Sequence, residues 1–258
     1  MKINDQMTLY TIPSELGSIT GDTLRPGGLA ITERAADFCG FSINDKIIDI
    51  GCGFGTTLKF LHKKYGCSVC GIDLRVPKSS GEFPFVQSSA EDLSFADNRL
   101  SGVFCECVLS LLSYPDKAAH EFYRVLRKTG FLVISDIYLR NPGVFRGLKH
   151  KHDSGACEVL ASIRKDGEGI SSCLSGAMSR EQVSDLVQRA GFDVLLWEDH
   201  SESLAQLAAN IVWELGSLDM LISIMLPGDC SDGHGQAVRN ARPGYFLMIA
   251  CKKSTTIG

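Results

Sequence analysis

The sequence predicts an α/β fold in which helices cover both faces of a doubly wound, mixed sheet of seven strands. From Lys46 onward, short apolar runs alternate with amphipathic segments, which is the pattern of a largely parallel sheet with right-handed crossovers. A glycine-rich turn follows the first apolar run, and two late runs are suited to pair at one edge of the sheet. The length of 258 residues fits one large domain with an insertion, so we expect a single domain over residues 1–258.

Most of the predicted elements lie in the first half of the chain. Residues 25–28 (RPGG) are a turn signal, and residues 31–39 then have the apolar spacing of a helix. We expect residues 1–45 to form a helical cover over the ligand site. The predicted elements that follow are strand 47–50, helix 56–65, strands 68–74, 85–87 and 103–107, helix 116–126 and strand 131–137.

After the fifth strand the alternation of strands and helices is interrupted. Residues 139–178 are rich in Gly, Ser, Lys and His, and we interpret them as a lid insertion over the carboxyl ends of the strands. Residues 179–182 (SREQ) have capping-box spacing and predict the start of a helix that ends at Ala190 and Gly191. The remaining predicted elements are strand 192–197, helix 204–225, loop 227–242 and strand 245–251.

Composition and charge are those of an ordinary soluble protein, and we expect a cytoplasmic location. The formal net charge of −4 argues against a general basic footprint for nucleic acid. The long apolar stretch over 204–226 is interrupted by Glu214 and Asp219, so we predict no membrane span. The first residues lack the apolar core of a secretory signal, and the ten cysteines are expected to be reduced thiols.

The glycine-rich turn is the candidate ligand site. A strand ending near Asp49 runs into residues 51–55 (GCGFG), and the next strand ends near Asp73, where a carboxylate can accept hydrogen bonds from both ribose hydroxyls of a nucleotide. Thr56 occupies the third glycine position of the dinucleotide fingerprint, and the chain has no Gly-Lys-Ser/Thr phosphate loop. The pattern therefore favours a nucleoside ligand that lacks a pyrophosphate and argues against a nucleotide-dependent dehydrogenase.

With these residues the chain resembles the class I S-adenosylmethionine (SAM)-dependent methyltransferases, in the ubiquinone/menaquinone-type (methyltransferase type 11) branch. Residues 90–95 (AEDLSF) are similar to the family segment beside the adenine, and residues 121–126 (EFYRVL) are similar to its E-x-x-R-V-L helix. The resemblance covers residues 25–138. It implies a Rossmann-like fold, SAM as cofactor and S-adenosylhomocysteine (SAH) as product.

The resemblance also implies a role for each residue of the cofactor site. Asp49 would support the turn and the methionine amine, Asp73 would bind the ribose, and Leu74 would lie against the adenine. Cys105 would contact the methionine part through its backbone, and Ser89 stands where the family often has aspartate. The complete predicted set is Asp49, Gly51, Cys52, Gly53, Asp73, Leu74, Ser89, Ala90, Glu91 and Cys105.

The implied reaction is an in-line displacement at an activated methyl group, so the protein mainly aligns the reactants. A base is needed only when the acceptor must lose a proton. We expect a small-molecule acceptor to enter over the fourth and fifth strands, near Glu106 and Asp136. The sequence identifies no catalytic residue outright and no metal site; the candidate catalytic residues are Tyr138, Cys107 and Cys173.

Two alternatives stay open. Residues 173–177 (CLSGA) are similar to a segment of arsenite methyltransferases, which implies a metalloid acceptor held by the thiolates of Cys107, Cys157 and Cys173. The other alternative is a protein that binds SAM as a sensor or scaffold without transferring the methyl group. The sequence does not identify the acceptor, the pathway or the oligomeric state.

Overall fold

The fold is known from a computed structural model that describes Thr23 and residues 25–75, 82–142, 173–215 and 234–253. Most of the predicted N-terminal cover before Arg25, and residues 143–172 of the predicted lid, lie outside the described residues. Within the described residues, no helix is both long and apolar enough to cross a membrane.

The described elements follow the alternation that the sequence predicts. In chain order they are α1 (Gly28–Cys39), β1 (Lys46–Ile50), α2 (Thr56–Tyr65), β2 (Ser68–Asp73), β3 (Phe85–Gln87), β4 (Leu100–Glu106), a 3₁₀ turn (Leu109–Leu111), α3 (Pro115–Val125), β5 (Leu126–Leu139), α4 (Cys173–Gly176), α5 (Arg180–Arg189), β6 (Phe192–Asp199), α6 (Ser201–Leu215), α7 (His234–Ala241) and β7 (Pro243–Lys252).

The seven strands form one mixed sheet with the order β3-β2-β1-β4-β5-β7-β6. Strands β1 to β5 pair in parallel, and β7 pairs antiparallel with both β5 and β6. The predicted Rossmann-like α/β fold is therefore confirmed, with the two late strands at one edge. Strands β1 to β3 follow one another toward one edge of the sheet, and β4 and β5 continue from β1 toward the other edge. The switch point lies between β1 and β4, and ligands of open α/β sheets bind at such a point.

Helices bury apolar residues against both faces of the sheet. Ala118, Ala119, Phe122 and Val125 are buried on α3 at the spacing of one helical face, and they belong to the same core as Phe246 of β7. The opposite face is covered by α1 and α2, whose buried residues are Ile31, Ala35, Ala36, Leu58 and Leu61. Both faces of the central strands are thus removed from water, as expected for parallel strands.

The E-x-x-R part of α3 holds the segment that follows β3. The Arg124 guanidinium donates hydrogen bonds to the carbonyl oxygens of Leu93 (2.8 Å) and Phe95 (2.7 Å). Glu121 pairs with Arg124 and accepts a hydrogen bond from the backbone N–H of Leu93 at 2.8 Å. The position of residues 90–95 therefore depends on a charged contact with the helix, which explains why the two motifs occur together.

The structure corrects two predicted elements. The predicted loop over 227–242 is wrong for residues 234–241, which form α7; Val238 packs on the core and Ala241 is fully buried, three residues apart on one face. Gly235, in the first turn, obscured this short helix in the sequence, because glycine has a low helix propensity. The helix predicted from residue 204 begins earlier, at Ser201, where Asp199 accepts a hydrogen bond from the Ser201 backbone N–H.

The predicted capping box of α5 is confirmed and provides a test of the fold. Ser179 Oγ accepts a hydrogen bond from the Gln182 backbone N–H, and the Gln182 side chain accepts one from the Ser179 N–H. We expect Ser179→Ala to lower the free energy of unfolding by about 1 kcal/mol in urea denaturation, because an orphan helix donor loses its partner. Ser184→Ala, in the interior of the same helix, is the control and should cost less, since alanine is the better helix former. Equal losses for the two variants would contradict the capping role.

Candidate functional site

The glycine-rich turn between β1 and α2 is bound to the neighbouring strand. The backbone N–H groups of Gly51 and Cys52 both donate to the Ile72 carbonyl oxygen, at 2.7 and 3.2 Å. Gly51 and Gly53 have φ values of +64° and +51°, in the region that favours glycine. A Cβ on Gly51 would lie 2.3 Å from Val108 Cγ2, whereas one on Gly53 would meet no described atom within 4 Å. A ligand can therefore approach the backbone at Gly53.

Asp73 connects this turn to the end of β2. One carboxylate oxygen accepts a hydrogen bond from the Gly53 N–H and the other from the Arg75 N–H, each at 3.0 Å. The side chain is buried, and the Asp73 carbonyl oxygen also accepts the Ser88 N–H at 3.1 Å. Asp73 thus joins the three loops that follow β1, β2 and β3.

The segment after β3 lies next to Asp73, and we call the region between the glycine-rich turn, Asp73 and this segment the crevice. Ser89 Oγ accepts the Glu91 N–H at 3.2 Å, and the Glu91 carboxylate accepts the Tyr114 N–H at 2.8 Å. Ala90 is buried in the core. The predicted adenine contacts Ser89, Ala90 and Glu91 therefore form one ordered turn next to Asp73.

Two apolar side chains on the loops around the crevice face solvent. Phe54, in the glycine-rich turn, is 77% exposed, and Leu74, after β2, is 67% exposed. Both positions follow the carboxyl end of a strand, where a ligand of this kind of sheet binds. A planar apolar group bound there would cover surface that water now contacts.

Two of the predicted cofactor residues, Cys52 and Cys105, have buried side chains, so only their backbone groups can contact a ligand. The Cys105 side chain is fully buried on β4, which pairs with β1 at Ile50. Cys52 is also buried, and its Sγ would lie 2.6 Å from a Cβ placed on Gly71 of β2. The Cys52 thiol therefore packs against the sheet and points away from the open side of the turn.

A buried polar network that the sequence did not predict lies beside the turn. Glu106, the last residue of β4, forms an ion pair with Arg25. Its carboxylate also accepts hydrogen bonds from Thr32 Oγ1 (2.8 Å) and Thr57 Oγ1 (3.0 Å). Arg25 donates to the same two hydroxyls, at 2.7 and 2.9 Å. The side chains of Arg25 and Glu106 are only 10% and 1% exposed, so Glu106 faces this network and is not the open acceptor contact that we expected.

Asp49 lies at the end of β1 next to this network and is buried. Burial is the main cause that raises its pKa well above the ordinary value, and the charges of Glu106 and Asp73 add to the effect. Arg25 opposes it. Asp49, Glu106 and Asp73 thus lie close enough to influence one another, with Arg25 as the cation that lowers the pKa of Asp49. In its ionised form Asp49 favours a positively charged ligand.

Cys107 occupies a constrained turn directly after β4. Its φ is +57°, which is uncommon for a residue other than glycine. Its N–H donates to the Ser135 carbonyl oxygen at 2.7 Å, and its Sγ lies 3.1 Å from Tyr245 Oη. Tyr245 is fully buried and donates to Ser135 Oγ at 3.1 Å. The Tyr245 hydroxyl, which the sequence did not single out, thus holds the thiol in place.

The structure brings Cys173 into the neighbourhood of Cys107. Helix α4, which carries Cys173, contacts the 3₁₀ turn that follows Cys107, and Cys173 is among the groups that raise the pKa of Cys107. Burial raises the pKa of Cys173 to about 12, with a further contribution from Asp136. Both thiols are therefore protonated at neutral pH. Cys157, the third predicted thiol, lies outside the described residues.

Asp136 and Tyr138, on β5, make contacts within the protein. Asp136 accepts hydrogen bonds from the N–H and the hydroxyl of Ser110, each at 2.9 Å, and burial raises its pKa to about 6. The Tyr138 hydroxyl donates to Asp199 at 2.9 Å, and this contact, with burial as the larger cause, raises the pKa of Tyr138. Both contacts favour structural roles; the role of Tyr138 as a base stays a prediction.

Comparison with known proteins identifies methyltransferases as relatives. Residues 48–134 match a family described as "Methyltransferase domain". The chain is 28% identical over 198 residues to methyltransferase GfsG of Streptomyces halstedii, covering 70% of this chain and 64% of that protein. The predicted resemblance to SAM-dependent methyltransferases is thus confirmed, whereas the resemblance of residues 173–177 to arsenite methyltransferases stays a prediction. The chain spans 52%, 64% and 34% of the length of three curated relatives that it matches.

Solved structures share the fold at low sequence identity. Phosphoethanolamine N-methyltransferase 2 of Haemonchus contortus, in complex with SAM, has a TM-score of 0.66 and 16% identity, covering 93% of this chain and 56% of that one. The [4+2]-cyclase SpnF has a TM-score of 0.59 and 20% identity, covering 93% of this chain and 92% of that one. At these identities the likeness establishes the fold alone.

The buried ion pair gives a prediction about stability. Arg25→Met leaves the Glu106 carboxylate buried without its cation, so we expect a loss on the order of 3 kcal/mol in the free energy of unfolding. The double variant Arg25→Met/Glu106→Gln should recover much of this loss, because the remaining amide is neutral.

Urea denaturation measures both effects. The control is Arg189→Met, which breaks an ion pair with Asp116 whose side chains are 58% and 61% exposed; such a pair contributes less than about 1 kcal/mol. If Arg25→Met costs no more than the control, the network does not stabilise the fold.

Proposed function

We propose that this chain transfers a methyl group from SAM to a small-molecule acceptor. The observation that carries the proposal is the crevice where the open backbone of Gly53 meets Asp73, at the carboxyl ends of β1 and β2. The relatives named as methyltransferases support it, as does the SAM reported in the Haemonchus structure. Our proposal extends to a cytoplasmic location, since the cysteines of the described residues are all free thiols.

In this proposal the cofactor lies across the ends of four neighbouring strands. Asp73 accepts hydrogen bonds from the ribose, in place of or beside its present backbone donors. Leu74 covers the adenine, and the ordered turn formed by Ser89, Ala90 and Glu91 lies at its edge. Gly51, Cys52, Gly53 and Cys105 offer backbone groups to the methionine part.

The charges of the crevice suit a sulfonium donor. SAM supplies a methyl group that is already activated, so the protein's task is to align the acceptor with it. Arg25 is already paired with Glu106, so the ionised forms of Asp49 and Asp73 leave an excess of negative charge beside the turn. SAM carries one more positive charge than SAH, and this excess therefore favours the donor over the product.

A metalloid acceptor is the second candidate function. It is favoured by the approach of Cys107 and Cys173, two soft thiols from separate elements on the side where the acceptor is expected. Because both thiols are protonated at neutral pH, binding a trivalent metalloid would release their protons.

The decisive experiment combines binding with turnover. Calorimetry measures SAM affinity, and SAH formation is followed with panels of amines, phenols, carboxylates and arsenite. SAM binding with turnover of an organic acceptor supports the proposal, and turnover of arsenite alone favours the second candidate. SAM binding without turnover points to a sensor or scaffold. A chain that does not bind SAM is not a methyltransferase of this kind.

Asp73 gives a direct test of the cofactor site. We expect Asp73→Ala to weaken SAM binding at least tenfold, about 1.4 kcal/mol, because the ribose loses its acceptor and the turn loses its contact at Gly53. Calorimetry measures the change. Asp92→Ala removes an exposed carboxylate from the neighbouring turn and should leave the affinity unchanged. Unchanged affinity in Asp73→Ala would refute the assignment.

Asp49 should control the discrimination between SAM and SAH. Asp49→Asn removes a negative charge, so we expect it to weaken SAM binding several-fold more than SAH binding. In the native protein SAM affinity should rise as the pH rises through the raised pKa of Asp49, since only the carboxylate attracts the cation. Titrations at a series of pH values measure this slope, which Asp49→Asn should flatten. Equal losses for the two ligands would contradict the charge argument.

A further inference from the structure

A cleft of about 390 Å³ lies next to the buried network, between the start of α1 and helix α6. One wall is formed by Arg25, Gly27 and Gly28, and the other by the face of α6 that includes Glu202. Pockets that bind small molecules have volumes of roughly 300–1,000 Å³. The size of this cleft therefore suits a small ligand.

The α6 wall is polar. Its residues recur at helical spacing on one face, and four of the five are polar: Glu202, Ser203, Gln206, Leu207 and Asn210. A helix on the surface of a domain ordinarily turns an apolar face inward. Gln206 Nε2 donates a hydrogen bond to Asn210 Oδ1 at 2.8 Å, which fixes the two amides relative to each other. The wall thus presents a carboxylate, a hydroxyl and an ordered amide pair.

The conformation of the opposite wall requires a glycine at position 27. Gly27 has a φ of +72°, and a Cβ there would lie 2.7 Å from Ile31 Cδ1 and 3.3 Å from Ser203 Oγ. Any larger residue would be strained and would press on both walls. The backbone at Gly27 therefore lets α1 and α6 approach each other around the cleft.

The balance of charge in the cleft is negative. The charge of Arg25 is already neutralised by its ion pair with Glu106, whereas Glu202 adds a carboxylate at the exposed side of the wall. Hydroxyl and amide oxygens supply further acceptors for N–H donors. A ligand with an amino group and polar substituents matches these walls.

The cleft is linked to the proposed methyl-transfer site through Arg25. Arg25, which lines it, is hydrogen bonded to Thr57 in the first turn after the glycine-rich loop and paired with Glu106 at the end of β4. These contacts fix the inner wall of the cleft to both sides of the crevice.

We propose that this cleft binds the methyl acceptor and that the acceptor is a small polar amine. This inference rests on the proposed function. The bound ammonium gives one proton to solvent, and the freed nitrogen lone pair forms a bond to the methyl carbon. The bond from that carbon to sulfur breaks at the same time, and its electron pair stays on sulfur, which leaves SAH.

The test uses two matched pairs of probes, ethanolamine with ethylene glycol and glucosamine with glucose. Each pair differs by an amine in place of a hydroxyl, and ligand-observed NMR titration measures binding to the full chain. We expect the amine of at least one pair to bind at least tenfold more tightly than its hydroxyl partner. Glu202→Gln should lower the affinity for that amine at least tenfold.

Glu181→Gln is the matched control, because Glu181 is also a glutamate in the first turn of a helix, α5, away from the cleft-lining residues. It should leave amine binding unchanged. Equal binding of amines and hydroxyl partners, or no effect of Glu202→Gln, overturns the proposal. SAM affinity measured on the same sample distinguishes failure of the cleft proposal from failure of the proposed function. SAM binding without amine selectivity refutes only the proposal that the cleft binds an amine. Absence of SAM binding refutes the proposed function.

Discussion

The buried ion pair between Arg25 and Glu106 ties the chain before the sheet to the ends of its central strands. Through two threonine hydroxyls it joins the segment before α1, α1 itself, the first turn of α2 and the end of β4. Removing two charges from water is costly, and the shared hydroxyls offset this cost because each one donates to the carboxylate and accepts from the guanidinium. The network therefore links the walls of the crevice and of the cleft, since both include one of its members.

The same network explains how a site without evident acid-base machinery can be selective. Its guanidinium balances one carboxylate, and the carboxyl groups of Asp49 and Asp73 remain beside the open backbone of Gly53. In the proposed reaction the cofactor loses its positive charge as the methyl group leaves. The attraction is then weaker for the product than for the donor, so the charges of the crevice favour exchange of product for donor without a conformational change.

Patterns of residues close in sequence predicted much of the fold and the ligand-binding turn. They did not predict the features that depend on contacts between residues far apart in the sequence. The glycine-rich turn, the E-x-x-R helix and the capping box at Ser179 are visible because each depends on residues close in sequence. The contacts of Arg25, Thr32 and Tyr245 were missed because their partners lie far away along the chain, at Glu106 and Cys107. The sequence held one indication of this network, because Thr32 places a hydroxyl on the otherwise apolar, buried face of α1. Helix α7 was missed because its apolar face is short, and the helix is stabilised by contacts with a core formed by distant parts of the chain.

The position of β7 has a consequence for how the chain is assembled during synthesis. The strand latest in the described sequence, Pro243–Lys252, lies between β5 and β6 and supplies the hydrogen-bonding partner of both. Until a ribosome has released these residues, the nascent sheet exposes the edge of β5, and β6 lacks the strand that it pairs with in the finished sheet. Such an edge is a template for pairing with other chains. Completion of the native sheet therefore follows the synthesis of β7, and until then the edge of β5 is open to pairing with other chains.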